Sequence, residues 1–575
     1  MDSYAIAIAI SLVIYVLIGN WAGRRVKHLD DYFVAGRRAP TFLIVGTLVA
    51  SAIGTNSFLG DTGFAYSGYA LALIFQLPIT IMGYIAGGLF FGRYLRRAKS
   101  MTVAEFFGKR FDSRRVRMLA AFTVIIGLGG YLMTVTQGSA LIISQVTEFS
   151  YIGALVAVWL GYSAFTVYAG SRGVVITDTM MFLLFSIVGV ASLSYIVSAS
   201  GGWFDSVAQL AVFEARPGIP GAEGFVGPDS YWATSVDMWI WSIIIAVAWG
   251  VVFAISPWQS SRYLMARDEH VVVRSGCVTA CVLSVLWTVV YISGPVIALS
   301  NADIDPPANA MIWATLNLMP VLAGSLLLAG IVSAGLSSAS TFLTLVGFAI
   351  SNDVTDKSMT DDAKRLRISR LTILGVGIVT LTIALVIPPN IFWITNFVGP
   401  IFAASWGPIA FMSVWSKKVT EAGAFWGMAI GFLGCAIPKA LVVFGVISLP
   451  SYLDPILVGA FASLITILLV SRAGTVGEEE KRFLQAIHVA PPELADKAQA
   501  RKTMIWPKLM IVWGVIVAIG LVIIYVRPYQ LAAGLVTEGG PYVVMSGELI
   551  VAVAWGLMLS VGGVFTRWAL KRFYI

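Results

Sequence analysis

The run Ser333-Ala334-Gly335-Leu336-Ser337-Ser338-Ala339-Ser340-Thr341 sets five hydroxyls within nine residues of an otherwise apolar stretch. At helical spacing Ser337 shares a face with Ser340 and with Thr341, and Ser338 adjoins that face, so the hydroxyls fan over a wide arc. Neutral oxygens at this density suit a hard monovalent cation that has shed its water. Serines bonding back to the i−4 carbonyl are the competing account. A second polar stretch, Thr47 to Gly63, carries Gly54, Gly60 and Gly63 among Thr55, Asn56, Ser57, Asp61 and Thr62. That composition disfavours a continuous helix and favours an unwound one, whose freed carbonyls can take the place of water around a cation. A close-packed interface of small residues would have the same composition. The third feature is Thr177-Asp178, about one turn inside an apolar run that follows Arg172-Gly173. A carboxylate there needs Arg172, a cation or a proton as its partner.

Other chemistries lack their residues. His28, His270 and His488 sit in charged connections with no Cys or carboxylate partner at ligand spacing, which argues against a structural zinc. Cys277, Cys281 and Cys435 are too few and too separated for a disulfide framework. No Gly-rich loop ending in Lys-Ser/Thr occurs, so ATP-driven pumping is not expected. No His/Ser/Asp constellation shares a common pocket, so the chain is not expected to be an enzyme.

The elements that position these residues must be membrane helices. The 575 residues are 58% hydrophobic and 12% charged, with a mean hydropathy of +0.86. A soluble domain carries roughly 25% charged residues. A bilayer core needs ~20 apolar residues per helix, and the chain offers about fifteen such stretches, near 4–20, 40–62, 68–93, 118–145, 150–169, 173–199, 234–257, 272–299, 322–349, 370–388, 390–414, 420–447, 453–471, 508–527 and 543–565. The segment between Pro306 and Pro320 is too short and reads as interfacial. With the N-terminus outside, all but three of the 38 Lys and Arg fall in the inner connections, the exceptions being Arg216, Lys439 and Arg527. This is the positive-inside asymmetry, so the net charge of +8 orients the chain and does not mark a nucleic-acid site. The reading is an all-α polytopic membrane protein with its C-terminus cytoplasmic. In it Lys439 snorkels outward, and Gly423, Gly427 and Gly431 form a Gly-x-x-x-Gly packing face.

With the spans placed, the chain resembles the sodium:solute symporter family, which includes proline, pantothenate, sialic acid and sugar symporters. The resemblance rests on six features in order. They are Asp31-Tyr32-Phe33-Val34-Ala35-Gly36-Arg37, the Gly-rich second span, and Thr102-Val103-Ala104-Glu105 through Phe111. Then come Tyr168-Ala169-Gly170-Ser171-Arg172-Gly173 with Thr177-Asp178, the run Arg262 to Ala266, and Ser337 to Thr341 followed by Asn352-Asp353. It covers residues 1 to about 471; the last two spans extend beyond it.

The resemblance implies a leucine-transporter-like inverted repeat of five helices plus five. The first repeat would be 40–199 and the second 234–414. Residues 1–39 would add an N-terminal helix and inner loop, 200–233 an extracellular loop, and 415–575 extra helices around the cytoplasmic loop 472–508. It implies a sodium site of Ala50, Ile53 and Ala334 carbonyls with Ser337 and Ser338 hydroxyls. A second sodium, which some members bind, would fall on Asp178 with Ser337, Ser340 and Thr341. Solute contacts would come from Thr55, Asn56, Ser57, Gln76, Thr134 and Gln137, with Trp249 and Trp406 as walls or gates. Members that grip a large acidic sugar use an arginine in the fourth span, where this chain has Gly129-Gly130-Tyr131. With no Lys or Arg at mid-membrane in a core span, unless Lys439 turns inward, a small neutral, zwitterionic or monocarboxylate solute fits better than a polyanion. The activity implied is sodium-coupled import of such a solute, an amino acid or monocarboxylate or similar with sugar still open, across a bacterial or archaeal cytoplasmic membrane. The alternatives are a proton-coupled permease of the same fold and a transporter-like sensor acting with a separate signalling partner.

Overall fold

The computed structural model describes residues 3–213, 226, 230–355, 361–389, 391–443, 445–491 and 497–574. Among them every regular element is a helix, with two isolated β-bridges besides. Thirteen helices are long and apolar enough to cross a bilayer. The fifteen apolar runs fall on them unevenly: Tyr151–Ser198 takes two runs, and Asn56–Ala98 takes the end of one and the whole of the next.

We label them α1 (Ser3–Gly23), α2 (Thr41–Ala52, resuming at Asn56 and running to Tyr69), α3 (Ala70–Gly87), α4 (Arg114–Val146), α5 and α6 (the two arms of Tyr151–Ser198), α7 (Ser235–Ile255) and α8 (Glu269–Ser300). The rest are α9 (Val321–Phe348), α10 (Asp362–Val386), α11 (Ile391–Trp415), α12 (Glu421–Val443), α13 (Pro455–Arg472), α14 (Ile505–Leu521) and α15 (Gly547–Tyr574). The short helix Ala310–Leu318 lies where the interfacial segment is expected.

Tyr151–Ser198 runs for 48 residues, ~70 Å if straight and more than twice a bilayer core, so it must turn. It turns at Gly170, with φ 54° and ψ −150°. A Cβ there would also lie 2.7 Å from the Tyr32 carbonyl oxygen.

Two membrane helices lose their ladder part-way. In α2 the helix stops at Ala52, and Ile53 is extended at φ −101°, ψ 113°. The chain resumes as a π-wound stretch over Asn56–Asp61 and again over Ala65–Tyr69, where Gly68 takes φ 100°. In α7 the ladder stops at Ser256 (φ −59°, ψ 149°), and Pro257 opens a short helix to Met265. Proline suits that first position because its missing N–H would have had no helical partner. These helices open the two stretches 40–199 and 234–414. Their inner ends are tied by a β-bridge, Ala39 N–H to Met265 O at 3.1 Å and Arg267 N–H to Ala39 O at 3.0 Å.

Around this pair, α2 packs on α6, α8 and α9, while α11 packs on α4 and α7. The glycines Gly423 and Gly427 let α12 approach α13, where an added Cβ would sit 2.1 Å from Ser471 Oγ and 2.2 Å from Ile467 Cγ1. That is the packing role the repeat predicts. Helices α14 and α15 pair with each other and lie against α8 and α3. Of the 200–233 connection, Trp203–Ala211 is helical, and Arg216 lies outside the described residues.

Gly170→Ala puts a side chain into a backbone region that costs ~1–3 kcal/mol and into contact with the Tyr32 carbonyl. Thermal unfolding of the purified protein should show a melting temperature several degrees below wild type. An unchanged melting temperature would mean that the α5–α6 turn tolerates a Cβ.

Candidate functional site

The break in α2 faces the hydroxyl run of α9. With Ile53 extended, the Gly54 amide is carried away from the Ala50 carbonyl, whose oxygen is left facing Ser337 Oγ at 3.3 Å. Gly54 is required by closeness: a Cβ on it would stand 2.9 Å from Ser338 Oγ and 3.8 Å from the Ala334 carbonyl oxygen. The structure therefore brings Ala50, Ile53, Ala334, Ser337 and Ser338 to the junction of two helices, all five residues buried. Thr55 acts as a wedge, its side chain within contact range of Cβ positions on Gly138 of α4 and Gly335 of α9.

Asp178 lies against the same junction from α6. It accepts from Thr47 Oγ1 at 2.6 Å and Ser337 Oγ at 2.7 Å. Its cationic partner is Arg262, from the short helix after the α7 break, at 3.3 Å. The arginine also donates to Thr341 Oγ1 at 2.5 Å, and the two charged side chains are 0% and 1% exposed. This corrects two expectations. Arg172 is not the partner, since it pairs with Asp31 at 3.1 Å. And an arginine does reach the buried core: Arg262, assigned by its sequence neighbours to an inner connection, is folded under the bundle by the break at Ser256. Of the oxygens proposed for a second cation, those of Asp178 and Thr341 are engaged by this guanidinium, while Ser340 Oγ donates to the Ser337 carbonyl at 2.8 Å.

Beside the junction, next to the Asn56–Asp61 stretch, is a cavity shared by α2, α3, α4, α7, α8, α9 and α11. Of the expected solute contacts, Asn56, Ser57, Gln76 and Trp249 line it. Asn56 Nδ2 donates to Thr395 Oγ1 at 2.6 Å, Trp287 Nε1 to Ser57 Oγ at 3.3 Å, and Trp249 Nε1 to Asn396 Oδ1 at 3.3 Å. Thr55, Thr134, Gln137 and Trp406 are not among its lining residues. Thr134 Oγ1 donates to the Gly130 carbonyl at 2.9 Å, and Gln137 Nε2 to that of Ile387 at 2.6 Å. Trp406 Nε1 donates to Thr123 Oγ1 at 2.9 Å.

The cavity also has lining residues that sequence reasoning did not single out, notably Tyr131, Thr395 and Asn396. A polar pair such as Thr395-Asn396 within an apolar run was the available signal. Lys439 does not snorkel outward: its ammonium donates to the main-chain carbonyl of Asn396, behind the cavity wall.

The sequence profile of the sodium:solute symporter family matches residues 32–431. The sodium/pantothenate symporter of Escherichia coli (strain K12) is 24% identical over 458 residues, 78% of this chain and 91% of the relative. The sodium/proline symporter of the same organism is 24% identical over 510 residues, 83% of this chain and 95% of the relative. Among solved structures, a Na+-coupled sialic acid symporter in a substrate-bound outward-open state superposes with a TM-score of 0.70 at 17% identity. That match covers 83% of this chain and 99% of the other, and it shows a shared, leucine-transporter-like fold.

Removing one partner of a buried ion pair leaves an uncompensated charge and costs about 3–5 kcal/mol. Arg262→Ala should therefore destabilise the protein more than Arg262→Ala combined with Asp178→Asn. Denaturation of the four proteins of this cycle measures the difference. Strict additivity of the two substitutions would show that the pair is not coupled.

Proposed function

The chain belongs to the sodium:solute symporter family, and we propose that it carries one sodium ion and one small polar organic solute inward together by alternating access. The observation that carries this reading is the meeting of the α2 break with Ser337 and Ser338 of α9. A sodium ion there would take carbonyl oxygens of Ala50, Ile53 and Ala334 and the two serine hydroxyls. Such neutral oxygens replace a hydration shell, whereas serine hydroxyls neither gain nor release a proton at physiological pH and so cannot serve as proton carriers.

Arg262 supports a stoichiometry of one. A second sodium beside Asp178 would compete with the guanidinium for the same carboxylate and for Thr341. With Arg262 in place the carboxylate already has its counter-charge, which also removes the need for a proton at Asp178. Ser340 and Thr341 then serve the pair and not an ion. The solute would bind in the adjoining cavity, against Asn56, Ser57, Gln76 and Trp249. Thr55, Thr134, Gln137 and Trp406 would act by holding the helices around it. The family's printed solutes differ among relatives, pantothenate and proline among them. Fifteen apolar segments make it an integral membrane protein, and the distribution of Lys and Arg supports an outer N-terminus and a cytoplasmic C-terminus.

Uptake of a radiolabelled solute panel into proteoliposomes tests the activity. Accumulation should follow an inward sodium gradient and stop when potassium replaces sodium. Within that assay Ser338→Ala should raise the sodium concentration for half-maximal uptake tenfold or more, about 1.4 kcal/mol for one lost ligand. Ser337→Ala should do the same while also releasing Asp178. Unchanged sodium dependence in both variants would remove the ion from α9, and uptake driven by a pH gradient without sodium would replace sodium with a proton.

A further inference from the structure

Asp61 sits on the π-wound part of α2 and lines the cavity. It accepts from Tyr291 Oη at 3.3 Å, and the Ser57 hydroxyl lies beside it. A carboxylate inside a membrane bundle is costly without a counter-charge. At three other buried carboxylates an arginine supplies one: Arg262 pairs with Asp178, Arg97 with Glu269 at 2.5 Å, and Arg117 with Asp353 at 2.7 Å. Asp61 forms no ion pair among the described residues, and none of the residues lining the cavity is Lys, Arg or His. The ammonium of Lys439, behind the wall, is held by the Asn396 carbonyl.

The rest of the wall has the same electrostatic character. Trp249, Phe253 and Trp287 line the cavity together, Trp249 stacking on Phe253 with centroids 5.6 Å apart and Phe253 meeting Trp287 at 5.5 Å, so aromatic rings run along one side. Ring faces carry negative potential and attract cations, most strongly where water is excluded. Gln76 adds Oε1, a buried acceptor with no hydrogen-bond partner. A carboxylate, a free amide oxygen and tryptophan faces together call for a positively charged, donor-bearing group.

We propose that the solute carries a positively charged nitrogen, seated between Asp61 and the rings of Trp249 and Trp287. The assignment rests on the symporter reading above and narrows its solute to small organic cations and to zwitterions whose ammonium end enters first. Anionic monocarboxylates fall outside it, because the cavity offers them no basic side chain. A monocation with one sodium moves two positive charges per cycle, and a zwitterion with one sodium moves one.

The charge can be isolated with an isosteric pair. Choline and 3,3-dimethylbutan-1-ol share shape and hydroxyl and differ in the positive charge. Butylammonium adds N–H donors, and propionate reverses the sign. Calorimetric titration of the purified full-length protein in sodium buffer should show choline or butylammonium binding at least ~tenfold more tightly than the neutral alcohol, with propionate silent. The better of the two cations tells whether the nitrogen is quaternary or donates hydrogen bonds. Asp61→Asn should erase the preference for charge. Equal affinity for choline and its carbon isostere, preference for propionate, absence of binding by both cations, or a preference that survives Asp61→Asn would each overturn the assignment. The wild-type comparison needs no variant to fold. Stabilisation of the wild type against heat by sodium over potassium, measured without solute, reads the underlying symporter site separately. If sodium stabilises but the cations do not bind, the solute class is wrong and the coupling site stands. If sodium has no effect, the symporter reading itself has failed.

Discussion

A main-chain carbonyl released from its helix inside a membrane bundle costs several kcal/mol unless another group takes it. The extended residue Ile53 imposes that cost on α2, and the arrangement around it answers the cost. The Ser337 hydroxyl lies within reach of both the Ala50 carbonyl and Asp178, and its one proton serves either acceptor in turn. Gly54 and Gly335 bring the backbones close enough for small polar groups to meet without intervening side chains. Thr55 fills the remaining space between α4 and α9. Oxygens left over at such a junction form a cation site with little reorganisation, because the fold has already met the cost of collecting them. Binding an ion there would draw α2 and α9 together and fix the unwound backbone that borders the solute cavity, so that one ligand prepares the contacts of the other.

Charge divides the site into two zones. At the junction, Asp178 and Arg262 neutralise each other and tie α6 to the short helix beyond the α7 break. That helix is bridged at Ala266 to Ala39, the residue that leads into α2. Any rocking of the α2 and α7 inner segments must therefore move the ion pair or break it. In the cavity, Asp61 has hydrogen-bond partners and no counter-ion among the described residues, so the field of the cavity is left negative. A sodium ion at the junction and a cation in the cavity would lie along the same helix, separated by the turn that holds Asn56 and Ser57.

Much of this was legible in the sequence, and what was not has identifiable causes. Apolar runs and the placement of Lys and Arg predict fifteen segments, because bilayer thickness and charge asymmetry act locally along the chain. Ser337 and Ser338 stand out because hydroxyls are sparse in such helices, and the glycines of α2 because they are crowded. Arg262 was hidden because it lies between Trp258 and Arg267 in a stretch that reads as a loop; only the reversal at Ser256 turns it inward. Lys439 was misplaced for the same reason, since the carbonyl it finds belongs to α11, remote in sequence. Thr134, Gln137 and Trp406 are polar groups in apolar helices, but helical period alone does not say which face meets the cavity. Their partners, such as Ile387 and Thr123, are set by tertiary packing. Asp61 was visible as a residue, yet its lack of a counter-ion could be known only once its neighbours were placed.

The central claim is that sodium binds where α2 is broken and orders that break. Hydrogen–deuterium exchange of the solute-free protein in sodium and in potassium reads this directly at the amides of Gly54, Thr55 and Asn56. The account predicts slower exchange at these positions in sodium, with the difference lost in Ser338→Ala. Identical exchange in the two cations, or protection confined to segments remote from α2 and α9, would contradict it.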